Sequence, residues 1–518
     1  MNVRSAAERF AGGFLLWSLL FLAGAALRLL DVGRPADGRV RESWRECDYA
    51  AIARNFVREG MDILSPRIDW RGDGPGFAEM EFPAVPWAMA VLDKAFGYRE
   101  TYGRWLMFAA SLLTLLVFFA LARSILPAAG ALASSAVFVL SPLVIRVSNS
   151  LQPEALMLLL EVFAVFAFLR WLEKDTWGWY SLALAATAAA ILVKLPAVHL
   201  GIFFLLLLVG RKGLAALRRL RVWLFGALSL LPGVLWYLHA HRFWVQYGNS
   251  LGVSNESHWI GPDLFANPGV LLKLLVNLAK LEIGLVWTPL GLAAAAYALV
   301  FLRKQAVVRI GAAWTAAVAV YYFVAIRTLG DTWAAYYHVA SAPAAALLIG
   351  AGAAGFLAFC RRRRQSSGGI RDSTAFGALP RMAAASLGLI AILGFEGVMV
   401  LRDIHPTRFQ GLYECAQRFK PLVPEGSLIL ASGDVSRDET GKPVAYNASY
   451  MFFWLDRKGF NIPSDGYSLE AVEAFVRRGA GYFVLEKETV KNAPRFLEDL
   501  KSKAVLLSEC PEAYLFRF

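Results

Sequence analysis

Four carboxylates lie close together in one polar stretch of the chain. Glu46 and Asp48 occur in WRECDYA, and Glu79 and Glu81 occur in EMEFP. A carboxylate held near a region of low dielectric is costly unless a cation, a metal ion or a hydrogen-bond donor accompanies it. These residues therefore form a candidate site for proton transfer or metal binding. The alternative is that they are solvated loop carboxylates with no chemical role.

Two other charged residues occur next to long apolar runs. Lys194, in ILVKLPA, lies between two such runs, an expensive position for an amine that does not bind an anion. The alternative is that its side chain snorkels towards water. Glu154, in SLQPEALML, precedes an apolar run, where it either belongs to a site or interacts favourably with a helix dipole.

The elements that must position these residues are membrane-spanning helices. Hydrophobic residues make up 57% of the 518 residues, charged residues only 18%, and the mean hydropathy is +0.48. Soluble domains are about 45–50% apolar and about 25% charged. Apolar runs approach or reach the roughly 20 residues that cross a bilayer, and they recur along the chain. We therefore predict an all-α polytopic membrane bundle of about eleven spans.

The positive charges predict the orientation of this bundle. A net charge of +13 would suggest nucleic acid in a soluble protein, but the basic clusters near 211–221, 303–309 and 361–364 fall on alternate loops. Cytoplasmic loops are enriched in Lys and Arg, so we assign the charge to topology and expect no nucleic-acid partner. The N-terminus is then cytoplasmic and the C-terminus external. The predicted spans lie near 10–30, 104–123, 128–146, 154–172, 178–193, 196–210, 222–240, 283–302, 310–327, 338–359 and 382–401.

Three external segments are longer than connecting turns. The first, 31–103, carries the four carboxylates and two amphipathic stretches, CDYAAIARNFVREG and FPAVPWAMAVLDKAFG, which we expect to lie along the membrane surface. The second, near 239–280, is a polar loop that contains His258. The third is the tail, and we divide the chain into a transmembrane domain, 1–401, and an extracytoplasmic domain, 402–518.

The tail predicts a small α/β domain. SLILAS, YMFFW, GYFVLE and AVLLSE are short and strand-like, and SLEAVEAFVRRG has helical spacing. Cys415 and Cys510 both lie in this region, where a disulfide is possible if the compartment is oxidising, whereas Cys47 and Cys360 look unpaired.

The first loop resembles a known family. WRECDYAAIARNF, then ILSPRIDWRGDGPGFAEMEFP and KAFG, are similar to the first external loop of the GT-C membrane glycosyltransferases. The bacterial branch with the lipid A aminoarabinose transferases and the RgtA/B/C/D-like enzymes, distant relatives of the protein O-mannosyltransferases, is the most similar. The resemblance covers about residues 10–360. It implies a polyprenyl-phosphate sugar donor, an acceptor lipid, glycan or protein of the cell envelope such as lipopolysaccharide, and a bacterial inner membrane.

The resemblance also implies roles for individual residues. Asp48 resembles the aspartate that deprotonates the acceptor hydroxyl, with Glu46 as the alternative because an Asp-Glu pair of the family is replaced here by Arg45-Glu46. Glu81-Phe82-Pro83 resembles the Glu-Lys-Pro element, whose glutamate can contribute to a divalent metal site and whose lysine helps to hold the lipid phosphate. Phe82 replaces that lysine, so the phosphate contact must come from elsewhere.

A leaving phosphate needs positive charge nearby. Lys194, Arg45, Arg327 and His338, with Tyr337 beside it in RTLGDTWAAYYHVASAP, are the candidates for donor phosphate binding. A metal site from Glu81 and His258 is a further hypothesis, against a solvated loop histidine. Glu79 and Glu154 complete the candidate site residues.

The sequence thus predicts an inverting glycosyltransferase that works on the non-cytoplasmic face with a carboxylate general base. The resemblance establishes no cofactor beyond the lipid-linked substrate. A transporter or flippase of a lipid-linked substrate is the alternative, although transporters usually show paired repeats, interrupted helices and midplane charges, and none is evident in the sequence.

Overall fold

A computed structural model describes residues 3–40, 42–252, 258–366, 391, 407–439 and 441–518. The described part of the chain up to residue 366 forms helices and their connections. Its helices are α1 (Val3–Leu29), α2 (Ser43–Glu59), α3 (Ala84–Phe96), α4 (Tyr102–Ile125), α5 (Ala128–Leu140), α6 (Pro142–Ser148), α7 (Glu154–Lys174), α8 (Trp177–Val193), α9 (His199–Lys212), α10 (Leu220–Tyr247), α11 (Pro262–Ala266), α12 (Pro268–Glu282), α13 (Pro289–Phe301), α14 (Ala306–Val324), α15 (Ile326–Leu329) and α16 (Ala342–Ser366).

Many of these helices are apolar enough to cross a membrane. Within the described residues, six helices have the length and composition of spans, and two bent pairs raise the number to as many as eight. Two shorter apolar helices, Phe14–Leu29 and Trp177–Val193, also coincide with predicted spans. Ten of the eleven predicted spans thus coincide with apolar helices, and the eleventh, 382–401, lies outside the described residues apart from residue 391.

The two bent pairs have identifiable causes. α5 and α6 meet at an angle of 57°, and Pro142 begins the second helix. The segment Pro268–Trp287 meets α13 at 86°. At that break Thr288 has a φ of 53°, and its hydroxyl accepts a 3.1 Å hydrogen bond from the Gly291 N–H, which caps α13 just before Pro289. Proline is favoured at the first helical position because that position needs no N–H partner.

The tail forms the predicted small α/β unit. It contains α17 (Arg408–Phe419), β1 (Leu428–Gly433), α18 (Ser449–Leu455), β2 (Lys458–Pro463), α19 (Leu469–Arg477), β3 (Ala480–Glu486), α20 (Lys487–Val490), α21 (Pro494–Lys503), β4 (Val505–Glu509) and β5 (Ala513–Arg517). The strand order is β2-β1-β3-β5-β4, with β1 parallel to β2 and β3, and β5 antiparallel to β3 and β4. The expected domain boundary at 401–402 falls outside the described residues.

One predicted strand of the tail is wrong. YMFFW forms part of α18, in which every residue from Ser449 to Leu455 is buried. A short apolar run that is buried on all sides has no alternation by which a strand can be distinguished from a helix. The predicted helix SLEAVEAFVRRG is confirmed as α19, and β2 and β5 are strands that the sequence reading missed.

The first external loop and the tail share one hydrophobic core. This core joins residues of α2, such as Ile52 and Phe56, to residues of α17 and α18, such as Leu412 and Phe452. Both amphipathic stretches are helices as predicted, but α2 is buried from Ser43 to Phe56 apart from Trp44. Most of the polar face that we expected at a membrane surface is therefore covered, by other parts of the first loop, by α4 and by the tail.

A strip of the first loop lies along the outer edge of the sheet. The Gly72 N–H donates to the Gly459 carbonyl at 2.5 Å, and the Gly459 N–H donates to the Asp69 carbonyl at 3.2 Å. Gly459 is needed here, because a Cβ at this position would lie 1.8 Å from the Ile429 carbonyl oxygen. The edge of β2 is thus paired within the chain itself.

The tail also contains a disulfide. Cys415 of α17 and Cys510, which follows β4, are bonded, with their Cα atoms 5.8 Å apart. Cys47 and Cys360 are buried and free, as predicted.

Candidate functional site

The first turns of α2 present the candidate residues on different sides of one helix. Asp48 and Tyr49 follow Arg45 by three and four positions, so both lie on the side of the helix that carries Arg45. Glu46 is one position from Arg45 and two from Asp48, and it points elsewhere. This spacing separates the two carboxylates that the sequence left as alternatives for the base.

Glu46 belongs to a buried ion pair. Its two oxygens accept hydrogen bonds from Arg104 Nη1 at 2.9 Å and Arg104 Nη2 at 2.8 Å, and both side chains are 1% exposed. The Leu151 N–H also donates to Glu46 at 3.2 Å. A carboxylate held in this two-pronged geometry joins α2 to α4 and to the segment before α7, so the contacts of Glu46 are those of a structural residue.

Glu81 is the meeting point of two cations. Its Oε1 is bonded by Arg45 Nη2, by the Tyr49 hydroxyl at 2.7 Å and by Lys194 Nζ at 3.0 Å. Lys194 Nζ also lies 2.6 Å from Glu154 Oε1. We call Arg45, Glu81, Glu154 and Lys194 the central charge cluster. Its side chains are at most 5% exposed, and its formal charges cancel.

The charges in this cluster hold Glu81 ionised. Burial alone would raise the pKa of Glu81, but the charges of Arg45 and Lys194 and the hydrogen bond from Tyr49 together bring it well below its usual range. Two cations converge on Oε1 of Glu81 and would compete with a divalent metal for this carboxylate. The residues around Glu81 therefore do not fit the metal site suggested by the sequence.

Lys194 does not snorkel to the surface. It follows the last residue of α8, where a cation interacts favourably with the helix dipole. Its side chain is 3% exposed, and its Nζ lies 5.0 Å from the Tyr337 ring centre and 5.5 Å from that of Tyr336. Two carboxylates and two aromatic rings therefore hold the amine inside the protein.

Asp48 has a different environment from Glu46 and Glu81. It is 5% exposed, and its Oδ1 accepts a 2.8 Å hydrogen bond from Trp70 Nε1. Burial raises the pKa of Asp48, and the Trp70 hydrogen bond and the charge of Arg45 partly offset this effect. The resulting pKa is about 7. A carboxyl group that titrates near neutral pH can exchange a proton with a substrate. Asp48 thus has the environment of a general base.

Glu79 and His258 each have other partners. Glu79 is buried and accepts hydrogen bonds from Ser250 at 2.6 Å and from His241 Nδ1 at 3.1 Å, which ties the first loop to the end of α10. His258 Nδ1 lies 2.5 Å from the Thr328 hydroxyl, and burial lowers the pKa of this histidine. The described residues contain no group of three or more His, Cys, Asp or Glu side chains that could hold a metal ion.

The remaining candidates lie in two other groups. Arg327 bonds Asp263 and donates to the Trp259 carbonyl at 2.9 Å, and it lies 3.7 Å from Asp438 of the tail. His338 is fully buried, with Nδ1 2.6 Å from Glu282 Oε1 and Nε2 3.0 Å from the Leu329 carbonyl. Tyr337, which precedes His338, contacts the central charge cluster through Lys194.

Sequence reasoning missed several groups that contact or extend the site. Trp70 fixes Asp48, and Glu282 accepts hydrogen bonds from Trp287 and Ser341 as well as its contact with His338. A second buried pair lies within the spans, where Glu161 Oε1 is 3.1 Å from His199 Nε2. Glu161 and Glu282 were detectable in principle, because a carboxylate within or next to an apolar helix is rare.

Comparisons with known proteins concern the fold. Residues 75–237 match the family model of dolichyl-phosphate-mannose-protein mannosyltransferases. The crystal structure of ArnT from Cupriavidus metallidurans in the apo state is similar, with a TM-score of 0.59 and 16% identity, over 96% of this chain and 97% of that one. The same protein bound to undecaprenyl phosphate gives a TM-score of 0.58 at 16% identity, over 96% and 97%.

An archaeal structure is also similar. The oligosaccharyltransferase AglB from Archaeoglobus fulgidus, in complex with an inhibitory peptide and a dolichol-phosphate, gives a TM-score of 0.59 at 13% identity, over 93% of this chain and 70% of that one. No curated protein matches the chain significantly in sequence.

The fold and the span-like helices define an integral membrane protein of mostly helical architecture with a small C-terminal sheet domain. More specifically, the chain has the fold of the GT-C membrane glycosyltransferases, which confirms the resemblance indicated by the first loop.

Proposed function

We propose that this protein transfers a sugar from a polyprenyl-phosphate-linked donor to an acceptor on the non-cytoplasmic face of a bacterial inner membrane, with inversion at the anomeric carbon. The observation that carries the proposal is the placement of Asp48. It is a buried carboxyl group with a pKa of about 7 on the same face of α2 as Arg45, which belongs to the central charge cluster. One helix thus presents a base and an anion-binding cation together.

The donor phosphate is assigned to Arg45 and Lys194. Lys194 carries three N–H donors, of which two point to Glu81 and Glu154. Arg45 Nε has no hydrogen-bond partner among the residues that the structure describes. These donors can bind phosphate oxygens, and Tyr337 lies beside them. ArnT from Cupriavidus metallidurans is known bound to undecaprenyl phosphate, and AglB with a dolichol-phosphate, which supports this class of donor.

The transfer is a single displacement. The acceptor hydroxyl attacks the anomeric carbon from the side opposite the phosphate, and Asp48 accepts the hydroxyl proton as the new bond forms. The bond between the anomeric carbon and the phosphate oxygen breaks, and the electron pair stays on the polyprenyl phosphate. Arg45 and Lys194 stabilise the negative charge that develops there. No step requires a metal at Glu81, because the two cations already neutralise that carboxylate.

A transporter or flippase remains a second candidate because of one observation. Glu161 of α7 and His199 of α9 form a fully buried pair within the apolar helices, and Trp314 Nε1 lies 3.2 Å from His199 Nε2. Buried ionisable pairs in membrane spans often belong to transport pathways. A transporter would move the lipid-linked sugar without breaking its bond to phosphate.

One experiment separates the two functions. The purified full chain is placed in liposomes with a panel of labelled polyprenyl-phosphate sugars, together with membrane vesicles as a source of acceptor. We expect cleavage of the sugar-phosphate bond of one donor, and loss of that cleavage in Asp48→Asn. Movement of intact donor between leaflets, with no cleavage of any donor, would overturn the proposal in favour of a transporter.

A further inference from the structure

A concave site lies between the first loop and the tail, with Trp70 in its wall. It is a cleft of about 520 Å³ whose walls come from three separate segments: residues 70–72 of the first loop, the end of α10 with the residues after it, and residues 443–478 of the tail. This volume lies within the range of about 300–1,000 Å³ that is typical of small-ligand sites. The chain therefore builds a cleft where the tail meets the first loop.

The side chains of the cleft combine aromatic rings with amides. Its aromatic residues are Trp70, Trp244, Tyr247, Tyr446, Phe460 and Phe475. Three asparagines, Asn249, Asn447 and Asn461, also line it. The flat apolar faces of aromatic rings stack against the C–H faces of sugar rings, and amides both donate to and accept from sugar hydroxyls. This composition suits a carbohydrate.

One of these amides has an unused donor. Asn461 Oδ1 accepts a 3.0 Å hydrogen bond from the Ala448 N–H, which fixes the side chain. Its Nδ2 is buried and has no partner among the described residues. A buried amide N–H₂ group without a partner is unfavourable, so a ligand that accepts a hydrogen bond here would relieve that cost.

The cleft has no spare positive charge for an acidic group. Its two cationic side chains are Arg71 and Arg478. Arg71 Nη2 lies 2.7 Å from Glu59, and Arg478 Nη2 lies 2.6 Å from Asp73. Arg45 of the central charge cluster has a buried donor without a partner among the described residues, whereas neither Arg71 nor Arg478 has one, so we take the bound part of the ligand as uncharged.

Two other kinds of ligand, a lipid chain and a peptide, fit this cleft less well than a carbohydrate. A lipid chain would leave the three asparagines facing hydrocarbon, which is costly for amides. A peptide commonly binds by adding a strand to an open sheet edge. The edge of β2, which borders the cleft, is already bonded by Asp69 and Gly72 of the first loop.

One residue contacts both the cleft and the candidate base. Trp70 lines the cleft, and its indole N–H is bonded to Asp48. A sugar stacked on Trp70 would therefore contact the residue that holds the candidate base.

We propose, on the basis of the glycosyl transfer proposed above, that this cleft is the acceptor site and that it binds an uncharged saccharide segment of a larger glycan. The tail thereby selects the acceptor, and the first loop supplies the base.

The first test identifies the class of the product. Full-length protein in source-cell membranes is incubated with the labelled lipid-linked donor, and the membranes are then treated with protease and stripped of acyl chains. We expect the label to remain in a saccharide fraction. Label that is released with peptides, or that partitions with free lipids, would overturn the acceptor site while leaving sugar transfer intact. Absence of any cleavage of the donor would instead contradict the proposed transfer.

The second test uses variants of the cleft. Tyr446→Ala and Asn461→Ala should each raise the amount of acceptor vesicles needed for half-maximal transfer by about five- to tenfold, with a smaller effect on the maximal rate. Glu498→Ala, an exposed position on α21, is the matched control. Equal half-saturation in the wild type and both cleft variants, at equal amounts of folded protein, would overturn the assignment.

Discussion

The indole N–H of Trp70 donates a 2.8 Å hydrogen bond to Asp48 Oδ1 and so ties the candidate base to the wall of the cleft. This bond favours the ionised carboxylate, whereas burial favours the neutral acid, and the pKa of Asp48 is raised to about 7 as a result. Trp70 is therefore a positioning residue that also sets the proton affinity of the base.

The first prediction concerns the pH dependence of transfer. Because the base must be ionised to accept a proton, the rate should rise with pH through about 7 and then level off. Trp70→Phe removes the hydrogen bond that lowers the pKa, so the rise should move to higher pH. The measurement is the rate of sugar transfer between pH 5.5 and 9. A profile that stays in place or moves to lower pH would contradict this role of Trp70.

A second prediction distinguishes Asp48 from Glu46. Asp48→Asn keeps the size of the side chain but loses the basic lone pair, so transfer should fall by about 100-fold or more while donor binding persists. The measurement is the rate of transfer per amount of folded protein, with binding of labelled donor measured in parallel.

Glu46→Gln is the matched control for that variant. It leaves the buried Arg104 charge without its carboxylate, which should cost about 3–5 kcal/mol of stability. Because Glu46 is a structural partner of Arg104 and not the base in this assignment, the fraction of the protein that still folds should retain transfer. If that fraction is inactive and Asp48→Asn transfers normally, the base is Glu46.

The third prediction concerns the donor phosphate. Lys194→Ala should weaken use of the lipid donor more than Lys194→Arg, because the phosphate requires a positive charge near Glu81. The concentration of donor at half-maximal rate is the quantity to measure. Equal donor dependence in both variants would leave Lys194 as a purely structural partner of Glu81 and Glu154.

A fourth prediction concerns the tail. Replacing Cys510 with serine removes a bond that closes a separation of 95 residues, and this should lower the free energy of unfolding by about 2–4 kcal/mol. A melting curve of the purified protein would show a lower Tm. Treatment with a reductant should lower the Tm of the wild type and leave that of Cys510→Ser unchanged. A reductant effect of equal size in both would place the sensitivity elsewhere.

The fifth prediction concerns orientation. A reporter that is active only outside the cytoplasm should be active when fused after Phe518, because the distribution of positive charges predicts an external tail. A reporter that is active only in the cytoplasm should be inactive at the same position. The opposite pattern would reverse the predicted orientation.

Apolar runs made the membrane bundle predictable from the sequence. Length and hydropathy are local properties, so the predicted spans coincide with apolar helices wherever the structure describes them. The same reasoning failed for α18, because complete burial removes the periodicity that separates a helix from a strand.

The sequence predicted which residues belong to the site better than it predicted which residues they contact. Glu81 and Lys194 were both selected from the sequence, but their ion pair joins residues 113 positions apart. Only the packing of α8 against the first loop shows that Lys194 binds Glu81 instead of reaching for the surface. The sequence did not indicate a role for Trp70, because a tryptophan in a polar loop has many possible roles. Its bond to Asp48 depends on how the loop folds back over α2.

Arg54 of α2 shows how the order of synthesis affects this protein. Its Nη1 donates to the Phe453 carbonyl at 3.2 Å, and that residue lies 399 positions later in the chain. At about 5–20 residues per second, a ribosome needs on the order of 20–80 s to make the intervening segment. During that time α2 has been synthesised, but α18, which packs against it in the folded protein, has not. Cells that make this protein must therefore protect an early apolar surface until translation is complete.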